Sequence, residues 1–224
     1  MRSLFALAAL AVLTAAAPAP DPLLEQVLAG ARAVPPTSIS FERTQRSINK
    51  EGDGAPETRV RVDRWDGKQM TLVSIDGKAP SQKEAESYRK ALAGRPVPGY
   101  YRLASFLGQG ARRVPDAKGR VIYRVDKLPK GSINIGRDIS ANITAEAIVD
   151  TSGPKPFVSR LRMTLPKPLS FFMVAKLDSF EAENEYRMGP DGRPVLVHQK
   201  QAMSGAQMGT PGTSTAESHY QPLP

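Results

Sequence analysis

Residues 180–203 read FEAENEYRMGPDGRPVLVHQKQAM, which is two runs of alternating polar and apolar residues around a turn. The Gly, Pro and Asp residues at 189–194 are typical of turns, so the stretch predicts an antiparallel β-hairpin. Placing Met188 opposite Val195 collects apolar residues on one face and charged residues on the other. The hairpin therefore predicts a sheet with one buried face and one face in water.

The charged face of this hairpin has an internal pairing pattern. The same register sets Glu185 against His198 and Glu183 against Lys200. Exposed cross-strand pairs of this kind specify register more than they add stability. Glu181 continues the row, and simple alternation explains all three glutamates as solvent-facing residues without a catalytic or calcium-binding role.

A second hairpin with the same polarity is predicted at 139–165. Apolar residues alternate with polar ones on both sides of a turn at 151–156. Placing Ala145 opposite Leu161 pairs apolar residues on the inner face and charged residues on the outer face. We expect this meander to run through the later hairpin to about residue 220.

An earlier hairpin is predicted around the Asp-Gly pair at 66–67, which is the strongest short-range signal for a two-residue turn. Runs at 57–65 and 68–76 flank it, with Val62 opposite Thr71. Both faces of this hairpin are partly apolar. Other elements must therefore cover each face, or one face must line a cavity.

Helical signals are concentrated in the N-terminal half. Asp21 is placed to cap a helix over 22–32, and Ser81 begins another with a capping box. An aromatic segment over 97–107 predicts a further short helix. The fold class is α+β: a strongly curved antiparallel sheet, or half-barrel, of about 9–11 strands with two or three helices on its concave side.

The N-terminal residues predict export. Residues 1–19 contain Arg2, an apolar run over 4–13 and small residues at 15–17, which is the layout of a secretory signal peptide. The apolar run is shorter than the roughly 20 residues that cross a bilayer, so a retained anchor is the weaker alternative. We expect residues 20–224 to form a single periplasmic domain.

Composition excludes several kinds of site. The chain has 0 Cys, so it has no disulfide, no thiol nucleophile and no lipoprotein-type anchor. No GxSxG motif is present, and His198 and His219 show neither HxH nor HxxxH spacing, so we predict no catalytic residue, metal site or cofactor. The net charge of +9 is spread along the chain, which disfavours nucleic acid as a partner. It forms either a solvated basic surface or one that attracts anionic lipid headgroups or an acidic partner.

Large apolar side chains exceed what two short helices and a sheet need for packing. Core packing is the simpler explanation for each, and the alternative is an apolar pocket between sheet and helices. The candidate cavity residues are Trp65, Tyr100, Tyr101, Phe106, Leu107, Phe171, Phe172 and Met173.

The layout resembles the LolA/LolB-like superfamily of bacterial envelope proteins, the group that includes outer-membrane lipoprotein carriers. The matching features are the helix at 22–32, the strands before residue 76, the helix from Ser81 and the meander over 139–220. The resemblance implies a half-barrel whose concave side is plugged by helices and offers a cavity to acyl chains.

These observations together predict a soluble periplasmic lipid- or lipoprotein-binding protein that is not an enzyme. The expected partners of this monomer are a lipid or an acylated protein, with an inner- or outer-membrane protein as a further partner. The alternative is a protein-binding regulator or envelope assembly factor that carries no lipid.

Overall fold

The computed structural model describes residues 21–171 and 175–223, which form an open antiparallel sheet with helices packed on it. The predicted signal segment, 1–19, lies outside the described residues. Within the described residues, no helix is long and apolar enough to cross a membrane.

The helices and strands follow the predicted order along the chain. The α-helices are α1 (Pro22–Arg32), α2 (Gln82–Leu92) and α3 (Arg102–Leu107). The strands are β1 (Phe41–Glu51), β2 (Glu57–Trp65), β3 (Met70–Ile75), β4 (Arg112–Val114), β5 (Val121–Val125), β6 (Thr144–Asp150), β7 (Phe157–Thr164), β8 (Leu169–Phe171), β9 (Ala175–Met188), β10 (Pro194–Gln207) and β11 (Thr210–Pro222). Short 3₁₀ turns occupy Pro36–Ser38 and Ser140–Asn142.

All 11 strands within the described residues belong to one sheet. Its order is β3-β2-β1-β11-β10-β9-β7-β6-β5-β4, and β8 pairs with β9 outside this path. Every pairing is antiparallel, and β3 and β4 form the two edges, so the sheet is not closed. The predicted α+β class with a large antiparallel sheet is confirmed.

Helix α1 is held to the sheet through its first residues. The Asp21 carboxylate accepts a hydrogen bond from the Leu23 amide at 3.0 Å, which is the predicted N-cap. The other carboxylate oxygen accepts from the Tyr123 hydroxyl of β5 at 2.7 Å. Leu24, Val27 and neighbouring apolar residues of the helix are buried against the sheet. One carboxylate therefore both starts the helix and fixes it on β5.

A single core joins α1, α3 and one face of the sheet. Its members come from the first and last strands as well as from the middle of the chain. Its large buried side chains include Leu28, Phe41, Tyr100, Leu103, Phe106, Tyr123, Leu161, Phe180, Tyr186 and Tyr220.

The register predicted for the β9–β10 hairpin is confirmed over most of its length. Glu185 lies opposite His198, and Phe180 lies opposite Met203. Near the turn the prediction is wrong by one residue, because a bulge between Leu196 and His198 places Met188 opposite Pro194.

The other two predicted registers are wrong. Ala145 lies opposite Met163, two residues from the predicted Leu161, and a register shift follows at Ile148 and Val149. A shift of two residues keeps every side chain on its face, so polarity alone cannot detect it.

The β2–β3 connection is longer than the predicted two residues. Trp65 lies opposite Met70, and Val62 lies opposite Ser74 instead of Thr71. The Asp66 carboxylate accepts hydrogen bonds from the amides of Lys68 and Gln69, both at 2.8 Å, and so stabilises a four-residue loop.

Two predicted elements are shorter than expected. The helix predicted over 97–107 begins only at Arg102, because the preceding segment contains Pro98 and Gly99. The strand predicted from residue 139 begins at Thr144, after the 3₁₀ turn at Ser140–Asn142.

Candidate functional site

A cavity of about 450 Å³ lies between α2, the segment at 93–98 and the first three strands. Its apolar wall is formed by Trp65, Met70, Leu92 and Val97. This volume is within the range of roughly 300–1,000 Å³ that small-molecule sites occupy. The cavity is therefore large enough for part of an extended apolar ligand.

The remaining wall of the cavity is basic. Arg43, Lys68, Arg89 and Arg95 line it, and the residues described by the structure place no Asp or Glu in this lining. Three of these cations are exposed, and Arg43 is buried. A cavity with an apolar wall and a cationic rim suits a ligand that has an apolar tail and an anionic group.

Trp65 is the predicted site residue that the structure places in this cavity. It is the only tryptophan of the chain, ends β2 opposite Phe41, and is 9% exposed. Its indole nitrogen donates a hydrogen bond to the Pro36 carbonyl at 3.0 Å. That bond fixes the orientation of the ring against the cavity.

A buried charged cluster adjoins the cavity through Arg43. Asp63 is 0% exposed and accepts from Arg43 Nε at 2.9 Å and Nη2 at 2.6 Å, which is a bidentate pair. The Tyr88 hydroxyl donates to the same carboxylate at 2.6 Å. Arg61 Nε lies 3.6 Å from it and has no hydrogen-bond partner among the described residues. Two guanidinium groups facing one carboxylate leave this cluster with an excess positive charge.

Burial perturbs the acid–base properties of the cluster. It raises the pKa of Tyr88, and the hydrogen bond to Asp63 raises it further. Burial, followed by repulsion from Arg43, lowers the pKa of Arg61. Both shifts follow from desolvation of a charged form, which is the expected response to low dielectric surroundings.

Tyr88 also attaches α2 to the sheet. It is the one buried residue of Gln82–Leu92, and the Arg61 guanidinium lies 5.0 Å from its ring centroid. The predicted capping box at Ser81 and Glu84 begins the helix as expected. Tyr88 is therefore the main buried attachment of α2 to the sheet.

Three other predicted site residues are core residues. Tyr100, Phe106 and Leu107 are each 2% exposed or less. The Tyr100 hydroxyl accepts from the Val158 amide at 2.9 Å, and its ring packs edge-on against Tyr186 at 5.2 Å. These residues belong to the core and do not line the basic cavity.

The remaining predictions fall in different places. Tyr101 is half-buried and donates to the Val97 carbonyl at 2.7 Å, which steadies one wall of the cavity. Phe171 is half-buried with the Arg137 guanidinium 5.3 Å from its ring centroid. Phe172 and Met173 lie outside the described residues.

Sequence reasoning missed Arg43, Asp63 and Tyr88. A signal for two of them was present, because Arg43 is two residues from Phe41 and Asp63 is two residues from Trp65. Alternation places each charged residue on the same face as a buried aromatic residue. Charged residues at inward positions on neighbouring strands indicate a buried pair.

Comparisons with known proteins assign no function to this site. No protein-family model and no curated protein matches the chain. Among solved structures, OmpTdeltaL8, a loop L8 deletion mutant of OmpT and an outer membrane protein of Vibrio cholerae, matches at 10% identity and a TM-score of 0.20. The match covers 81% of this chain and 98% of that one. A TM-score this low carries no inference about fold or function.

Proposed function

We propose that this chain is a periplasmic binding protein for an anionic amphiphile, a lipid or an acylated protein, whose apolar chain enters the cavity beneath α2. The observation that carries the proposal is the pairing of an apolar wall containing Trp65 with a rim of three exposed cations, Lys68, Arg89 and Arg95. Each buried methylene of an acyl chain contributes about 0.8 kcal/mol, so partial insertion of a tail gives useful affinity.

The basic rim supports an anionic ligand over a neutral one. Arg43 is already committed to Asp63, whereas Lys68, Arg89 and Arg95 extend into solvent around the cavity. Charges in this position attract an anionic group before the tail enters.

Access to the cavity is proposed to involve α2. The helix is fastened by the Tyr88 hydroxyl, which donates to Asp63 at 2.6 Å. Leu92 and Arg89 of α2 line the cavity, so we expect the cavity to open if that contact breaks, with strand pairing unchanged. We assign α2 the role of a lid.

The half-barrel shape belongs to the same proposal. Tyr100 shares a small cavity with Phe41 of β1 and bonds Val158 of β7, while Asp21 bonds Tyr123 of β5. Strands β1 and β5 are six positions apart in the sheet order, which is roughly 29 Å in a flat sheet at about 4.8 Å per strand. Asp21 begins α1 and Tyr100 precedes α3, and these two short segments together contact strands across that whole span. Such contacts favour a sheet that curls around the helices.

Trp65 gives a direct test, since the fluorescence of the single tryptophan reports on the cavity itself. We expect a brominated fatty acid to quench it saturably at one ligand per delipidated chain, and the unbrominated acid to compete. The methyl ester of the same acid is expected to bind more weakly, because it has no charge for the basic rim.

Matched variants on α2 locate the binding. Leu92→Glu places a charge in the cavity and is expected to abolish saturable quenching, whereas Ala91→Glu on the exposed side of the helix leaves it intact. Absence of quenching in the parent chain, or equal quenching in both variants, contradicts the proposal. Crosslinking in cells that captures one protein partner from a lipid-free chain favours the regulator alternative instead.

A further inference from the structure

The two histidines of the chain meet on the face of the sheet opposite the core. His198 of β10 pairs directly with His219 of β11, and their rings stack at 4.6 Å with an interplanar angle of 25°. The adjacent residues Gln199 and Tyr220 point to the other face, where the Tyr220 hydroxyl donates to Gln199 at 2.9 Å. The histidine pair is therefore separated from the proposed lipid cavity by the sheet.

Glu217 completes a compact group with the histidines. Its Oε1 atom lies 2.8 Å from His198 Nε2 and 3.7 Å from His219 Nε2. One ligand atom from each of the three residues lies within 4.8 Å of the other two. His198 is largely buried, with 16% of its side chain exposed, while His219 is 67% exposed and free to adjust.

We propose that His198, Glu217 and His219 bind a divalent transition-metal cation of the Zn²⁺ class. Imidazole nitrogen and carboxylate oxygen are preferred Zn²⁺ ligands at about 2.0–2.2 Å, which places tetrahedral ligand atoms roughly 3.3 Å apart. The separations of 2.8 and 3.7 Å lie on either side of that value. Three protein ligands leave the fourth position to water or a further ligand.

Glu185 is the carboxylate placed to support His198 from the side of the ring away from the metal. Its Oε2 atom lies 3.8 Å from His198 Nδ1, on the opposite side of the ring from Glu217. In the metal-free chain Nε2 donates to the Glu217 carboxylate, so metal binding requires that proton to leave Nε2. In a neutral ring the proton is carried on Nδ1 instead, and the Glu185 carboxylate must approach from 3.8 Å to accept it and fix the tautomer.

Two cations beside Glu217 disfavour the binding of a metal ion by electrostatic repulsion. Lys200 Nζ lies 3.6 Å from Glu217 Oε1, and Arg46 is the β1 neighbour of Glu217 in the sheet. The Lys200 side chain is 61% exposed and can turn into solvent. Glu217 and Lys200 also line a groove of about 400 Å³, which gives a cation access from solution.

The composition excludes other histidine or cysteine ligands for the metal ion. The chain has 2 His and 0 Cys, so histidine-dependent metal binding can arise only from this pair once any histidine tag is removed. Zn²⁺ is titrated into the full chain, followed by calorimetry and by the ring-nitrogen NMR signals of the two histidines. We expect one Zn²⁺ per chain and shifts of both rings together.

Variants distinguish a built site from adsorption to surface carboxylates. His198→Ala and His219→Ala are each expected to lose the binding, and Glu185→Gln to weaken it about tenfold. Lys200→Gln is expected to tighten it, because a neighbouring positive charge is removed. Glu181→Gln, on the same face but paired with Arg162, is the control that keeps parental affinity.

Folding of the variants is checked by thermal unfolding in EDTA, and we expect His219→Ala to fold because the His219 side chain is 67% exposed. The proposal is overturned if neither ring responds to excess Zn²⁺, or if His219→Ala binds with unchanged affinity.

Discussion

Asp63 is a single buried carboxylate on which two arginines and a tyrosine converge. An ion pair in this position adds little over an apolar pair, but loss of one partner leaves a buried charge without compensation. Arg43 is 7% exposed and makes its bidentate pair with this carboxylate. Removing the Asp63 charge would therefore leave the buried Arg43 guanidinium without its partner.

We therefore expect Asp63→Asn to lower the free energy of unfolding by about 3–5 kcal/mol. Urea denaturation measures the change. Asp126→Asn is the matched control, since Asp126 also contacts two arginines, Arg112 and Arg124, but is exposed to solvent, where such pairs contribute little. Equal losses in the two variants would show that the buried cluster has no special role in stability.

Tyr100 is a second buried residue whose polar group contributes to stability, here through its hydroxyl. The buried Val158 amide donates to it beside the register shift of β6 and β7. Tyr100→Phe removes this acceptor, so we expect the free energy of unfolding to fall by about 1–3 kcal/mol. Tyr101→Phe, whose hydroxyl contacts a half-buried loop, is the control and should cost less in the same measurement. The reverse order would contradict this assignment.

The elements differ in how far local sequence determines them. The starts of α1 and α2 were predictable, because Asp21 and Ser81 bond to amides two or three residues away. The attachment of α2 was not, since Tyr88 reaches a carboxylate 25 positions earlier. Capping is a local interaction, whereas anchoring depends on the complete sheet.

Strand register shows the same division. Alternation along β9 and β10 predicted Glu185 opposite His198, and this pair is observed. Between β6 and β7 no such pair distinguished registers two residues apart, and the prediction was wrong. Pairing of β1 with β11 joins residues as distant as Phe41 and Pro222, and no local pattern specifies it. The histidine pair lies across the β10–β11 hairpin, and the basic cavity lies between α2 and the first three strands. Both depend on exact register and on side-chain contacts, which spacing along the sequence did not reveal.

Helix α2 gives a prediction at this scale. Tyr88→Phe keeps the ring but removes the donor to Asp63, so we expect faster amide hydrogen exchange across Gln82–Leu92 with strand exchange unchanged. Ser87→Ala, at the neighbouring exposed position, is the control. Unchanged exchange in Tyr88→Phe would mean that packing of the ring alone holds the helix.

At the scale of the whole molecule, the tyrosines link the fold to pH. The chain has 6 of them, and burial raises the pKa of every one. For Tyr100 burial raises the pKa to about 12. They are distributed over α2, the segment before α3, and strands β5, β9 and β11, so they report on the complete core.

The consequence is a loss of stability in alkali. Below about pH 10 a tyrosine is protonated in both the folded and the unfolded chain, and its contribution is fully present. Above that pH the unfolded chain releases the proton first, so each such tyrosine lowers the free energy of unfolding by up to about 1.4 kcal/mol per pH unit. This loss continues until the pH passes the raised pKa of the folded state.

We therefore expect the folded chain to resist tyrosine ionisation near pH 10 and then to unfold cooperatively at higher pH. Phenolate absorbance and far-UV circular dichroism, recorded on the same samples, should change together in one step. The urea-unfolded chain is the control and should titrate near the unperturbed value of about 10. Tyr101 is the tyrosine most able to ionise before the chain unfolds, because it is only half-buried. If phenolate absorbance in the Tyr101→Phe variant still rises near pH 10 while the dichroism remains native, the tyrosines are more accessible than this core permits.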